Sequence, residues 1–512
     1  MMEAYSMRRS VMILLFWAAF AVPAAAQGYT PTFSNNPCPF PFIEGVVCGT
    51  LTVPEDRTNP AGRQVELAVV ILQAANGTPL PDPVIYLEGG PGGAASLAVE
   101  DFAAHPLRQN RDLILLDQRG TGFSQPSLNC FEMEDEDAAD TATLDCRDRL
   151  IAEGVNLSAY NSAANAADVN DLRIAMGYEQ VNLWGISYGT RLALTVIRDY
   201  PEGIRAVVID AVYPPEVNSL EQASADGVRA FEYLLDACAA DAACNDAYPD
   251  LREDFYFIVD EFNFEPVTFE YFDGEETYDL DLYGDDILDA MFQAMYDSSI
   301  IPMLPYGITL MAYAEDDIDL TDAVDILSGY YTIDSWNGEF EDFPESVLES
   351  DMVLDYFDTV GDISDSEGMY SSVECAEEVP FNNADAAFDS ADAAPIELQA
   401  WLFEAIDGQL FECEGWGVPA TSAIEAERVQ SDVPVLLISG AFDPITPPSY
   451  ADSALQGLPN GQHIVFPTGS HGDSSIPGCA ANVTRAYLDD PTALLDTGCI
   501  EPAITFYIDP LY

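Results

Sequence analysis

Ser187, Asp443 and His471 are the residues of this chain whose types and settings could do chemistry together. Ser187 lies in Gly185-Ile186-Ser187-Tyr188-Gly189, after the apolar run Val181-Asn182-Leu183-Trp184 and before Arg191-Leu192-Ala193-Leu194-Thr195-Val196-Ile197. That order reads as a strand, a sharp turn and a helix, with the serine at the apex. Flanking glycines let such a turn close, and the hydroxyl then projects from the sheet toward a substrate. A serine hydroxyl is a poor nucleophile at neutral pH and needs an adjacent base. The chain has three histidines, so the choice is short. His463, in Gly461-Gln462-His463-Ile464-Val465-Phe466-Pro467, reads as a strand residue. His105 precedes Pro106 in a loop or helix end. His471 sits in Thr468-Gly469-Ser470-His471-Gly472, a flexible turn just after that strand, and is the candidate base.

An imidazole base works best with a carboxylate that fixes its tautomer and stabilises its positive charge. Composition cannot choose among 89 acidic residues, but position can. Val433-Pro434-Val435-Leu436-Leu437-Ile438-Ser439-Gly440 reads as a buried parallel strand, and Asp443 follows it. That is the carboxyl edge, where open α/β sheets build their sites. Oxyanion donors are also legible. The strand pattern Asp82-Pro83-Val84-Ile85-Tyr86-Leu87 runs into Glu88-Gly89-Gly90-Pro91-Gly92-Gly93. Glycines there let backbone N–H groups face a developing negative charge. The second donor is expected to be the N–H of Tyr188, directly after the nucleophile. The chain order Ser187, Asp443, His471 is that of α/β-hydrolases.

Three segments resemble the prolyl-aminopeptidase branch of the α/β-hydrolases: Glu88 to Gly93, Asp117-Gln118-Arg119-Gly120-Thr121-Gly122-Phe123-Ser124, and the turn at Ser187. Asp443-Pro444-Ile445-Thr446-Pro447 and Gly469-Ser470-His471-Gly472 are similar to tripeptidyl-aminopeptidase-like members of that branch. The likeness covers most of the chain outside its middle third. One departure is Glu88, where many prolyl aminopeptidases carry histidine. The resemblance implies Gly90 as first oxyanion donor in preference to Gly89. Ser372-Val373-Glu374-Cys375-Ala376-Glu377-Glu378 resembles a short cysteine-plus-acid motif of the same relatives. It implies Glu377 as a carboxylate anchor for a substrate α-amine, ahead of Glu374 and Glu378; a surface acid is the plainer reading of each.

The elements needed to position these groups follow from the pattern. Strands are expected at 49–53, 65–72, 84–87, 113–117, 181–185 and 206–210, with an amphipathic helix at 163–176. Alternating strands and helices imply an α/β fold with a mostly parallel sheet flanked by helices, here of the α/β-hydrolase type. From Glu216 to Ser431 the pattern turns helical and aromatic-rich, with helices expected at 227–239 and 285–296; the strand pattern then resumes. The expected division is a signal peptide at 1–26, a first core part with the nucleophile at 27–215, a mainly helical cap at 216–431, and a second core part with Asp443 and His471 at 432–512.

Arg8-Arg9, the apolar run from Val11 to Val22 and Pro23-Ala24-Ala25-Ala26 read as a secretory signal with a small-residue cleavage site. The protein is therefore expected to be exported, to the periplasm or beyond. No stretch reads as a stable membrane span. Ten cysteines fall in neighbouring pairs, 38 with 48, 130 with 146, 238 with 244, 375 with 413 and 479 with 499. Sequential pairing is the simplest connectivity, and disulfides suit an oxidising compartment. No spacing suggests a zinc or EF-hand site, so neither metal nor cofactor is expected.

The charge is extreme, 17 basic residues against 89 acidic, with a net charge of −72, and every basic residue is arginine. Such a surface repels nucleic acid and anionic membranes. The expected partner is a peptide or small ester, and the expected activity is that of an exported serine aminopeptidase with a Ser-His-Asp triad. A carboxylesterase is the alternative, and a non-catalytic binding module is disfavoured by the complete triad. The acidity reads as adaptation to a saline exterior, because salt screens self-repulsion. Raising NaCl from about 0.1 M to about 2 M, which shrinks the Debye length several-fold, is expected to raise the melting temperature by several degrees. Calorimetry showing no rise would remove that reading.

Overall fold

Strands that are apolar at nearly every position need burial on both faces. Four of them lie at the centre of the molecule. The computed structural model describes residues 29–134, 141–272, 277–314, 317–329 and 363–509. The expected signal peptide, 1–26, lies outside the described residues. The strands are β1 (Thr32–Asn36), β2 (Val46–Pro54), β3 (Gln64–Leu72), β4 (Val84–Leu87), β5 (Leu113–Leu116), β6 (Val181–Ile186), β7 (Ile204–Asp210), β8 (Val267–Phe272), β9 (Thr277–Leu282), β10 (Val435–Gly440) and β11 (Gly461–Phe466). Nine form one sheet in the order β1-β2-β3-β5-β4-β6-β7-β10-β11. Every residue of β4, β5, β6 and β10 is buried.

The sheet is parallel from β5 through β11 and antiparallel among β1, β2, β3 and β5. The antiparallel part has a simple cause. Residues 55–63 between β2 and β3 are too few for a crossover, which takes a dozen or more. The carboxyl ends of β6, β7 and β10 lie side by side: Ile186 pairs with Asp210, and Asp210 with Ile438. This edge therefore carries Ser187, Asp210 and Asp443 in neighbouring positions.

Helices Ser162–Ala175 and Tyr188–Asp199 cover one face, where Leu172, Leu192, Val196 and Ile197 join the core with Leu183 and Val207. Short turns at 95–109 and the helix Cys479–Asp489 cover the other, around Trp184, Val208 and Ile438. Between β7 and β10 the chain forms further helices with a core of their own, including Phe231, Phe255, Leu288 and Ile308. These include Ser219–Ala240, Gly284–Ala294 and Ile396–Trp416, whereas the helix Glu367–Glu377 packs Met369, Val373 and Cys375 into the core of the sheet. The hairpin β8–β9 lies among them. It escaped the sequence reading because Asp279 and Asp281 make its second strand look like an acidic run, although Leu280 and Leu282 alternate with them.

Five disulfides join the cysteines in sequential pairs. Cys375–Cys413 ties the helix Glu367–Glu377 to Ile396–Trp416. No helix among the described residues is long and apolar enough to cross a membrane.

The turn at Ser187 is packed so tightly that its glycines have no alternative. A methyl group on Gly185 would lie 2.3 Å from Gly189 O, and one on Gly189 would lie 2.0 Å from Leu87 O in β4. Neither backbone can retreat without breaking the sheet. Gly189→Ala is expected to destabilise the protein by about 3 kcal/mol or more, the upper range for overpacking. Urea unfolding checks this, and a loss under about 1 kcal/mol would mean the turn is looser than it looks.

Candidate active site

Ser187 sits at φ 55° and ψ −125°, a conformation that non-glycine residues seldom adopt. Such strain persists only where the surroundings impose it. Here the Ser187 N–H donates to Asp210 O at 3.1 Å, and its carbonyl accepts from Thr190 N and Thr190 Oγ1. Thr190 Oγ1 also accepts from Tyr213 N at 2.7 Å. The serine is thus held from both sides by β7 and the chain beyond it. Between Val181 and Thr190, Ser187 alone keeps partial exposure; every other residue is buried.

Asp443 is wholly buried beyond β10. Its Oδ2 is 3.0 Å from His471 Nδ1 and accepts from Thr446 Oγ1 at 2.6 Å. Its Oδ1 accepts from the N–H groups of Ile445 and Thr446. A carboxylate facing Nδ1 keeps the proton there and leaves Nε2 free to accept one. Burial alone would raise the Asp443 carboxyl, but the neighbouring imidazole and the Thr446 donors bring it below its ordinary value. Burial would likewise lower His471, but Asp443, then Asp210 and Asp473, raise it above 6.5.

The histidine turn is gripped by the helical segment. His471 N–H donates to Tyr296 O at 3.2 Å, Ser470 Oγ donates to Met295 O, and the rings of Tyr296 and His471 lie 4.7 Å apart. Gly472 packs against Ile186, since a methyl on it would lie 2.9 Å from Ile186 Cγ2. The turns bearing Ser187 and His471 therefore touch through their neighbouring residues. Among the described residues, the hydrogen bonds of the His471 ring go to Asp443 and Thr446 and none to Ser187 Oγ.

The glycine loop after β4 lies against the serine: a methyl on Gly89 would come within 3.0 Å of Ser187 Cβ. The Gly89 N–H is taken by Glu88 Oε1 at 2.8 Å, which also accepts from Tyr86 at 3.0 Å. Of the two glycine amides, that of Gly89 is thus already engaged. Tyr188 opens the helix after the serine, so its N–H has no partner within that helix. Its hydroxyl is buried against Ser162 Oγ at 2.9 Å. The Asp117–Ser124 motif has a structural part to play. Asp117 accepts from Ser96 and Phe123, and buried Arg119 forms a two-point ion pair with Asp168.

Glu377 lies in the helix Glu367–Glu377, fully buried. Its Oε1 accepts from Ser162 N at 2.5 Å, and its Oε2, 3.6 Å from Arg191 Nε, has no hydrogen bond. Glu378 is occupied by Arg191, Ser219 and Asn382. Among the described residues, the Glu374 carboxylate has only long contacts from Tyr213 Oη, 3.4 and 3.5 Å. Burial raises both Glu374 and Glu377. Three carboxylates thus share one guanidinium. No group of His, Cys, Asp and Glu able to hold a metal occurs among the described residues.

The family described as "alpha/beta hydrolase fold" matches residues 82–249, and that described as "TAP-like protein" matches 403–499. The chain has the α/β-hydrolase fold and is similar to serine peptidases of that fold. Serine protease Hip1 of Mycobacterium tuberculosis is 25% identical over 469 residues, 84% of this chain and 82% of that one. Tripeptidyl aminopeptidase of Streptomyces lividans is 29% identical over 211 residues, 36% of this chain and 39% of that one. Carboxylesterase B of Mycobacterium tuberculosis is 26% identical over 438 residues, 78% of this chain and 76% of that one.

Thr446, Tyr296, Asp210 and Asp473 were not singled out from the sequence. Thr446 could have been, since it sits two residues beyond the Asp-Pro step; the others meet the site only through the fold. Because Asp443 favours the protonated form of His471 and so raises its titration, Asp443→Asn is expected to move the ring titration to lower pH. With three histidines, selective ring labelling and NMR can follow it. An unmoved His471 titration in the folded variant would contradict the pairing.

Proposed function

We propose that this protein is an exported serine aminopeptidase, cleaving near the free N-terminus of peptides through an acyl-enzyme. The observation that carries the reading is the buried Asp443–His471 hydrogen bond beside a strained, partly exposed Ser187. In this reading Ser187 Oγ attacks the scissile carbonyl while His471 Nε2 takes its proton. Asp443 stabilises the imidazolium. The N–H groups of Gly90 and Tyr188 hold the oxyanion, where one such donor accounts for about 3 kcal/mol of the barrier. His471 then protonates the leaving amine, and water releases the acyl group by the reverse sequence. Catalytic hydrogen bonds often tighten only when substrate is bound, so the Ser187–His471 bond belongs to the complex.

The peptide preference draws on the tripeptidyl aminopeptidase and serine protease relatives and on the carboxylate surplus around Arg191. A substrate ammonium would supply the missing positive charge, with Glu377 Oε2 as its acceptor. In this proposal residues 216–431 form a cap over the serine. Export rests on the N-terminal 26 residues and is consistent with the five disulfides. The carboxylesterase relative favours the second reading, a small-ester hydrolase using the same three residues.

A panel of free and N-blocked peptidyl chromogenic amides, with simple esters beside them, separates the two. Cleavage of free-amine amides at least tenfold faster than blocked ones, abolished by Ser187→Ala, is the expected result. Glu377→Gln is expected to raise KM for free-amine substrates about tenfold or more, the worth of a charge-assisted hydrogen bond, and to leave blocked ones unchanged. Ester turnover without amide turnover would select the esterase, and full activity in Ser187→Ala would end both readings.

A further inference from the structure

Asp210 is a wholly buried carboxylate for which the proposed mechanism has no use. It ends β7, between the strand that delivers Ser187 and the strand that delivers Asp443. Its backbone carbonyl accepts from Ser187 N. Its side chain points to the same face of β7 as the buried Val208 and Ala206, two and four residues back. There Oδ2 accepts from Ser474 N at 2.7 Å, while Oδ1 is buried with no hydrogen-bond partner.

Ser474 follows His471 by three residues, and every polar atom it has is held. Trp184 Nε1 donates to its Oγ at 3.0 Å. Its carbonyl is 2.9 Å from His105 Nε2. A carbonyl can only accept, so His105 Nε2 carries the proton, and Nδ1 is left to accept from Leu107 N. Burial pushes His105 below its ordinary value, which keeps that neutral tautomer. The His105 ring stacks on Trp184, with centroids 4.7 Å apart and planes 19° off parallel. β6, β7 and the loop at His105 thus converge on the segment carrying His471.

We propose that Asp210 is a second positioning carboxylate for the His471 imidazole, clamping its loop through Ser474 and adding a buried negative charge close to the ring. This rests on the Ser-His-Asp reading and deepens it. The charged and titratable groups around the ring are Asp443 beyond β10, Asp210 on β7, Asp473 on the histidine turn itself and Tyr296 from the helical segment. Arg229, from the helix Ser219–Ala240, binds the carbonyls of Ala441 and Asp443, and Asp226 and Tyr450 lie beyond. Asp473 is already occupied by Ser298 and the Ser470 N–H. Asp210 keeps one oxygen uncommitted. Burial and then Asp473 push its carboxyl up to about 7.

The test is the His471 ring titration by NMR in labelled protein, which needs no turnover. It is recorded in a Ser187→Ala background, with Asp210→Asn and Asp210→Glu added. Asp210→Asn is expected to shift the titration down by about half a pH unit or more, the direction set by loss of a nearby negative charge. Asp210→Glu is expected to keep it near the parent value. In the active protein, Asp210→Asn should move the acid limb of kcat/KM the same way, with KM little changed. If Asp210→Asn does not fold, Asp210→Ser must show the same displacement. A folded Asp210→Asn or Asp210→Ser whose His471 titration overlays the parent would overturn the proposal. Full activity of the Ser187→Ala protein would instead overturn the triad reading while leaving the titration result standing.

Discussion

A carboxylate buried to the last oxygen is expensive unless something compensates it. Asp443 is compensated on four sides, by two backbone N–H groups, the Thr446 hydroxyl and the His471 ring. The rest of the site follows from that requirement. The imidazole must come to the carboxylate, so the histidine turn must fold back over the edge of β10. Its backbone is then fastened from both sides, by Tyr296 of the helical segment and, through Ser474, by Asp210 of β7. Ser187 is held by the same β7 carbonyl edge. One buried charge thus organises pieces separated by more than 250 positions in sequence.

The same electrostatic logic governs the acidic composition. With 17 arginines against 89 acids, cations are scarce, and several are spent inside. Arg119 and Arg191 are almost wholly buried, each facing carboxylates from another element. Arg119 fastens the loop after β5 to the helix Ser162–Ala175. Arg191, on the helix that starts at the serine, fastens the acidic end of Glu367–Glu377. Breaking such a pair strands an unpaired charge, which costs several kcal/mol. These arginines bind layers together, and the surface is left to the acids.

Much of the sheet was legible because its central strands are apolar at nearly every position, and only a doubly covered strand tolerates that. The expected strands from 49 to 210 match β2 to β7 within a few residues, and the helix expected at 163–176 is found at Ser162–Ala175. The misses have physical causes. β1 is short and mostly exposed, so no apolar pattern marks it. The β8–β9 hairpin hides its alternation behind aspartates. Glu377 was singled out as an amine anchor, with a surface acid as the plainer reading, and the structure buries it. Its burial against Arg191 depends on two helices from distant parts of the chain.

Sequence alone determined the chemistry on offer: one serine at a glycine-flanked turn, one suitable histidine out of three, and an aspartate at a strand end. Those are local facts, because turn geometry and strand periodicity act over a few residues. Only the tertiary structure decided which groups share space. That Asp443 faces Nδ1, that Gly89 is already engaged, and that Asp210 stands behind the histidine turn all depend on strand order. Hydrogen bonds reach about 3 Å, and no pattern along the chain encodes which distant atoms arrive within that distance.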